Sequence, residues 1–203
     1  MKVKVCGITE AEDALLCAEE GADAIGFVFA PESKRYLEPA KAALINSLIS
    51  PLVMKIGVFV NREYEEVNRI AAEAGLNAVQ LHGCESPGYI KKIKLPVIKS
   101  FRIKPGFDFG VISRYSGCGI LLDSFSHGQL GGTGKTFDKN LIPDDLRSSV
   151  IIAGGISTEN VIEIAEKIKP AGIDLSSSLE HRPGRKDPAK VKEFFKIIRR
   201  LKC

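Results

Sequence analysis

Short runs of β-branched and aliphatic residues recur along the whole chain, each followed by a longer stretch with helical spacing. The runs fall at 3–6, 24–29, 55–60, 78–82, 97–102, 119–123, 150–153 and 172–176. Helical patterns follow them at 10–20, 39–49, 62–74, 87–93, 107–115, 140–146, 158–168 and 188–201. Strands separated by helices pair in parallel, because no tight turn reverses the chain between them. Thr9 with Glu12 predicts a capping box, while Ser86-Pro87 and Asp187-Pro188 each set a cap before a proline at the first helical position. Eight such units close as a (β/α)8 barrel or stay open as a doubly wound sheet.

Two features favour closure into a single (β/α)8 TIM barrel over residues 1–203. The first turn reads Cys6-Gly7-Ile8-Thr9, so the G-x-G-x-x-G fingerprint of an open dinucleotide-binding sheet is missing. Small residues cluster after the last two strands, as Ala153-Gly154-Gly155 and Ser176-Ser177-Ser178, where barrels commonly hold a phosphate on backbone N–H groups. The expected ligand is a small phosphorylated molecule, although glycines there also serve a tight turn alone.

Composition narrows the function classes. At 203 residues and 44% hydrophobic content, the chain suits one compact core. The net charge of +4 is modest and only the 190–202 stretch is visibly basic, so nucleic acid is not the expected partner. No apolar run reaches bilayer length and the first residues lack a signal-peptide core, which points to a cytoplasmic protein without membrane contact. Five scattered cysteines, none in a C-x-x-C pair, indicate neither disulfides nor a zinc site, and no metal is expected.

Chemistry in a β/α protein sits at the carboxyl ends of strands. Cys6 ends the first run and Asp123 the sixth, making them candidate base and acid; the alternatives are a buried small residue and a loop anchor. Arg35, after the second strand, and His82, at the end of the fourth, extend the polar rim, unless they are a solvated charge and a hydrogen-bonded ring. The segment 128–136 ends in Gly134-Lys135-Thr136, but Gln129 stands where a Walker loop needs glycine; a mobile loop closing over the mouth, with its glycines as hinges and N–H donors, is expected instead. Alternation places Lys4 and Lys2 inside the barrel with Cys6, and Val3 and Val5 outside. A buried lysine needs a carboxylate, and Asp174, two residues before Ser176, is the candidate unless it reaches the substrate sugar.

These residues, in order, resemble the phosphoribosylanthranilate isomerase family over the whole chain. The resemblance is carried by Val5-Cys6-Gly7-Ile8-Thr9, Gly26-Phe27-Val28-Phe29, Pro31-Glu32-Ser33-Lys34-Arg35-Tyr36, Gln80-Leu81-His82-Gly83, Leu121-Leu122-Asp123, Gly131-Gly132-Thr133-Gly134-Lys135-Thr136-Phe137-Asp138, Ala153-Gly154-Gly155 and Asp174-Leu175-Ser176-Ser177. Ser178 stands where the family usually has glycine, and Lys139 replaces a common tryptophan.

The resemblance implies a cofactor-free Amadori rearrangement in tryptophan biosynthesis, with Asp123 as general acid and Cys6 as general base. It also implies that Arg35 pairs with the anthranilate carboxylate, that His82 positions the substrate, and that Gly132, Thr133, Gly154, Gly155, Ser176 and Ser177 hold the phosphate. A thiol with a reference pKa of about 8.5 needs its thiolate favoured, for example by helix N–H groups after Gly7. An aspartate must conversely be held protonated to serve as an acid. The assembly implied is a monomer or homodimer. Rival readings are another phosphosugar isomerase or synthase, and a catalytically silent phosphoribosyl-binding barrel; the latter requires neither Cys6 nor Asp123.

Overall fold

A computed structural model describes residues 1–124 and 141–201. Strands β1 (Lys2–Cys6), β2 (Ala24–Val28), β3 (Met54–Phe59), β4 (Ala78–Leu81), β5 (Val97–Ile103), β6 (Gly119–Ser124), β7 (Val150–Ala153) and β8 (Gly172–Leu175) pair in sequence order. β8 then pairs in parallel with β1, and the barrel is closed. The helices on its outside are α1 (Ala11–Glu20), α2 (Pro39–Ser47), α3 (Tyr64–Glu73), α4 (Pro87–Ile90), α5 (Asp144–Arg147), α6 (Val161–Glu163) and α7 (Pro188–Leu201). No helix among the described residues is long and apolar enough to cross a membrane.

Strand alternation divides the side chains into two populations. The outward set, including Val3, Val5, Ile25, Phe27, Val79, Leu81 and Ile152, is completely buried against the helices. Each such large side chain contributes roughly 1.5–3 kcal/mol by leaving water. The helices answer with matching stripes: α7 buries Val191, Phe194, Phe195 and Ile198, spaced i, i+3, i+4 and i+7. Lys192, Lys196, Arg199 and Arg200 fall on its exposed face, which accounts for the basic run near the C-terminus.

The inward set is different in kind. Ala24, Ile56 and Ala78 plug the amino-terminal end, with Ile98 against them. Above them the barrel interior turns polar, with Lys4, Gln80, Ser100 and Asp174 all buried. Lys4 therefore lies inside as alternation requires. Lys2 does not: it is at the open lower end, where its side chain is exposed and pairs with Asp23 at 2.7 Å.

Helix boundaries depart from the sequence expectation where local chemistry intervenes. The capping box does not form; α1 starts at Ala11 without a side-chain cap, and the Thr9 hydroxyl donates to the Gly184 carbonyl. The fifth stretch is a 3-10 helix, Phe109–Tyr115, with Asp108 accepting from the Gly110 N–H. Gly106 and Gly117, both at positive φ, close it off at either end. Of the sixth stretch, residue 140 lies outside the described residues, and α5 starts at Asp144 directly after Pro143, whose ring and missing N–H are tolerated only at a helix start. The seventh is one turn of α6 running into a π-helical turn at Ile164–Ile168. The caps at Ser86 and Asp187 form as read: Ser86 accepts from the Tyr89 N–H, and Asp187 accepts from the Ala189 and Lys190 N–H groups.

One element was not expected. After β8 a short 3-10 turn leads into a two-stranded hairpin, β9 (Glu180–Arg182) with β10 (Arg185–Lys186), and this hairpin bears directly on the site.

Candidate active site

The carboxyl ends of all eight strands contribute to one pocket. Val28, Ala30, Val58 and Val60 make an apolar wall. Facing it are His82, Arg102 and Asp123, and the rim between β7 and β8 is built from Gly154, Gly155, Ser176, Ser177 and Ser178. Cys6, Arg35 and Asp174 complete the lining, so every candidate residue within the described part of the chain reaches the same space. Gly132 and Thr133, with the rest of segment 128–136, lie outside the described residues.

Asp123 is buried at the end of β6, with Oδ2 3.3 Å from His82 Nε2. His82 Nδ1 is 3.2 Å from Gln80 Nε2. With the Gln80 amide donating to Nδ1, the neutral ring carries its proton on Nε2 and aims it at Asp123. Gln80 is interior on β4 two residues before His82, so strand alternation alone stacks the two.

Beneath the pocket Lys4 Nζ lies 2.8 Å from Asp174 Oδ2, both side chains being almost fully buried. The register places them side by side, Lys4 opposite Asp174 across the β1–β8 seam. The other carboxylate oxygen, Oδ1, is buried without a hydrogen-bond partner among the described residues, as is Ser176 Oγ. Burial pushes the Asp174 carboxyl above its ordinary value, with Lys4 pulling the other way. Cys6 follows the same pattern: burial raises its thiol, and the Lys4 ammonium offsets this only in part. Helix N–H groups do not supply the expected help. Ile8 N–H is spent on the Gly26 carbonyl at 3.0 Å, and α1 starts only at Ala11.

Arg35 reaches the pocket but is not a free guanidinium. Its Nε and Nη2 donate to the two carboxylate oxygens of Glu180 at 2.8 and 2.6 Å, a bidentate clamp. Lys186 Nζ, fully buried, donates to Glu180 Oε1 at 3.0 Å, to the Cys6 carbonyl at 2.7 Å and to the Ser176 carbonyl at 3.3 Å. The hairpin thus ties the loop after β1, the loop after β8 and Arg35 into one unit. Sequence reasoning missed Glu180 and Lys186. The only signal was two charges in a turn-rich segment, and a three-residue strand is too short to show a period.

Burial alone would raise the Glu180 carboxyl, but the hydrogen bonds from Arg35 and the nearby Lys186 hold it below the ordinary glutamate range. A lowered folded-state value means that its stabilisation is complete above the unfolded value of about 4.3 and vanishes as pH falls through the lowered one. Glu180→Gln should flatten that acid limb when thermal midpoints are followed against pH. An unchanged limb would show that other carboxylates govern it.

The rim is shaped by backbone. Gly154 and Gly155 have φ of +81° and +65°, which L side chains rarely adopt. A Cβ on Gly154 would also come within 2.6 Å of Asp123 Oδ1, so the glycine lets the acid lie against the β7 loop.

A thiol and a carboxyl on different walls of a barrel mouth, over a buried ion pair, define the class: a (β/α)8 barrel with its ionisable groups gathered at the carboxyl ends of the strands. Comparison with known proteins gives the family. The model for N-(5'-phosphoribosyl)anthranilate isomerase matches residues 3–197. The N-(5'-phosphoribosyl)anthranilate isomerase of Syntrophomonas wolfei is 43% identical over 97% of both chains. The crystal structure of phosphoribosyl anthranilate isomerase from Thermus thermophilus superposes with a TM-score of 0.90 at 37% identity, over 99% of this chain and all of that one. A further isomerase structure, in complex with reduced 1-(o-carboxyphenylamino)-1-deoxyribulose 5-phosphate, gives 0.86 at 39% identity over 97% of each. The chain belongs to the N-(5'-phosphoribosyl)anthranilate isomerase family and is an isomerase of tryptophan biosynthesis.

Proposed function

We propose that the pocket carries out the Amadori rearrangement of N-(5'-phosphoribosyl)anthranilate with Asp123 as acid and Cys6 as base. Asp123 gives its proton to the furanose ring oxygen as the bond from that oxygen to carbon 1 breaks. The lone pair of the anthranilate nitrogen then closes the Schiff base. Cys6, as thiolate, takes the proton from carbon 2, leaving an enolamine that becomes the ketone when a proton returns at carbon 1. No electron acceptor enters, since carbon 1 is reduced as carbon 2 is oxidised.

The observation that carries this reading is the placement of Cys6 and Asp123 on β1 and β6, lining one pocket between an apolar wall and a small-residue rim. The wall suits the aromatic ring, and the rim at Gly154, Gly155, Ser176 and Ser177 suits the phosphate. Arg35, pre-aligned by Glu180, turns one edge of its guanidinium to the clamp and leaves the rest for the anthranilate carboxylate. His82 and Asp174 then border the sugar.

The decisive assay follows the fluorescence of freshly generated phosphoribosylanthranilate. The purified protein should speed its decay beyond spontaneous hydrolysis, and no acceleration would overturn the reading. A dianionic product analogue should also slow amide hydrogen exchange around Gly154, Gly155, Ser176 and Ser177. Were these amides unaffected by a bound analogue, the phosphate would lie elsewhere.

A further inference from the structure

The mechanism requires a thiolate, and burial works against one: something in the site must favour ionisation of the Cys6 thiol. The helix terminus that could have done so is absent from the site, since α1 begins at Ala11. The charge present in its place is Lys4. A Cβ built on Gly26 would meet Cys6 Sγ at 2.8 Å and Lys4 Nζ at 3.1 Å, so thiol and ammonium share the space over that one residue. A side chain there would crowd both. The Lys4 ammonium acts on the thiol by its charge, while Asp174 Oδ2 holds the same ammonium at 2.8 Å.

We propose that Lys4 is the positioning residue for the base: its ammonium stabilises the Cys6 thiolate, and Asp174 both holds it in place and limits how far that stabilisation goes. This rests on the reading of Cys6 as base. The two neighbours act on the thiol with opposite sign, the cation favouring the thiolate and the carboxylate opposing it. Other charges nearby are Lys186, whose Nζ bonds the Cys6 carbonyl, and Arg35, held by Glu180. Asp123 and His82 line the pocket from β6 and β4. Lys186 and Arg35 share Glu180 as Lys4 pairs with Asp174, so pairing does not rank the three cations and proximity to the sulfur does. Lys4 shares the space over Gly26 with the sulfur itself, and it is the principal lever.

The test is alkylation of the folded protein by iodoacetamide across pH, with each cysteine followed by peptide mass mapping. Exposed Cys84 serves as the reactive reference, and fully buried Cys17 reports unfolding. Lys4→Met should label Cys6 at least about threefold more slowly than wild type at pH 7, as loss of an adjacent opposite charge raises the thiol pKa by about one unit or more, and the tenfold smaller thiolate fraction is partly offset by its greater nucleophilicity. Asp174→Asn should label it faster. A role confined to packing would move both variants the same way, and that result, or no change in either, overturns the proposal. If labelling of Cys17 shows that the single variants are unfolded, the decision falls to the double variant Lys4→Met with Asp174→Leu, which replaces the pair with apolar groups. It should label Cys6 more slowly, and equal or faster labelling overturns the proposal. The base assignment is tested separately: an active Cys6→Ser enzyme would remove it whatever the labelling shows.

Discussion

Asparagine in place of Asp123 is expected to lower kcat by about 10²-fold or more, with KM changed far less. The side chain keeps its shape and can still accept from His82 Nε2, 3.3 Å away in the parent, so the wall of the pocket survives. What it loses is the acidic proton that, in the proposed mechanism, passes to the ring oxygen as the sugar opens. Cys6→Ser should show a loss of similar size for the complementary reason, since a hydroxyl is a far weaker acid than a thiol and scarcely forms its anion near neutrality. Steady-state kinetics with freshly prepared substrate, together with the affinity of a product analogue, separate chemistry from binding. Near wild-type turnover in either variant would remove that residue from its role.

The second large effect is on stability. Lys4 and Asp174 form an ion pair with both side chains under a tenth exposed, so removing one partner strands a charge in the barrel. Lys4→Met and Asp174→Asn should each destabilise by about 3–5 kcal/mol. The double change should cost less than the sum, because the stranded charge is the main penalty and it disappears with its partner. Denaturant melts of the four proteins complete the cycle. Additive losses would mean that the pair does not act as a unit.

The Lys4–Asp174 contact was legible in the chain itself. Strand parity sends Lys4 inward with Cys6, barrel closure sets β8 beside β1, and an unpaired interior ammonium is too costly to leave alone. Lys2 obeys the same parity yet escapes the interior, because it stands at the rim, where water and Asp23 are available. Cys6, Asp123 and His82 were legible for a similar reason: each ends a short apolar run that reads as a strand, and strand ends converge in a parallel barrel. The capping box at Thr9 and Glu12 fails because α1 begins at Ala11 with Glu10 at the cap position, which puts Thr9 one residue too early, and its hydroxyl donates to the Gly184 carbonyl, 175 residues along the chain.

By itself the sequence determined the barrel, its eight strands, which side chains face inward, and the residues at each strand end. The strands and their parity follow from short-range periodicity, and closure over an open sheet from the missing dinucleotide fingerprint and the small-residue loops after the last two strands. The tertiary structure alone decided what those residues are bonded to. That Glu180 clamps Arg35, that Lys186 joins the loops after β1 and β8, and that Lys4 rather than a helix end attends Cys6 all depend on contacts between distant segments. No local pattern encodes such pairings, because charge and hydrogen-bond partners are chosen by proximity in space once the barrel has closed.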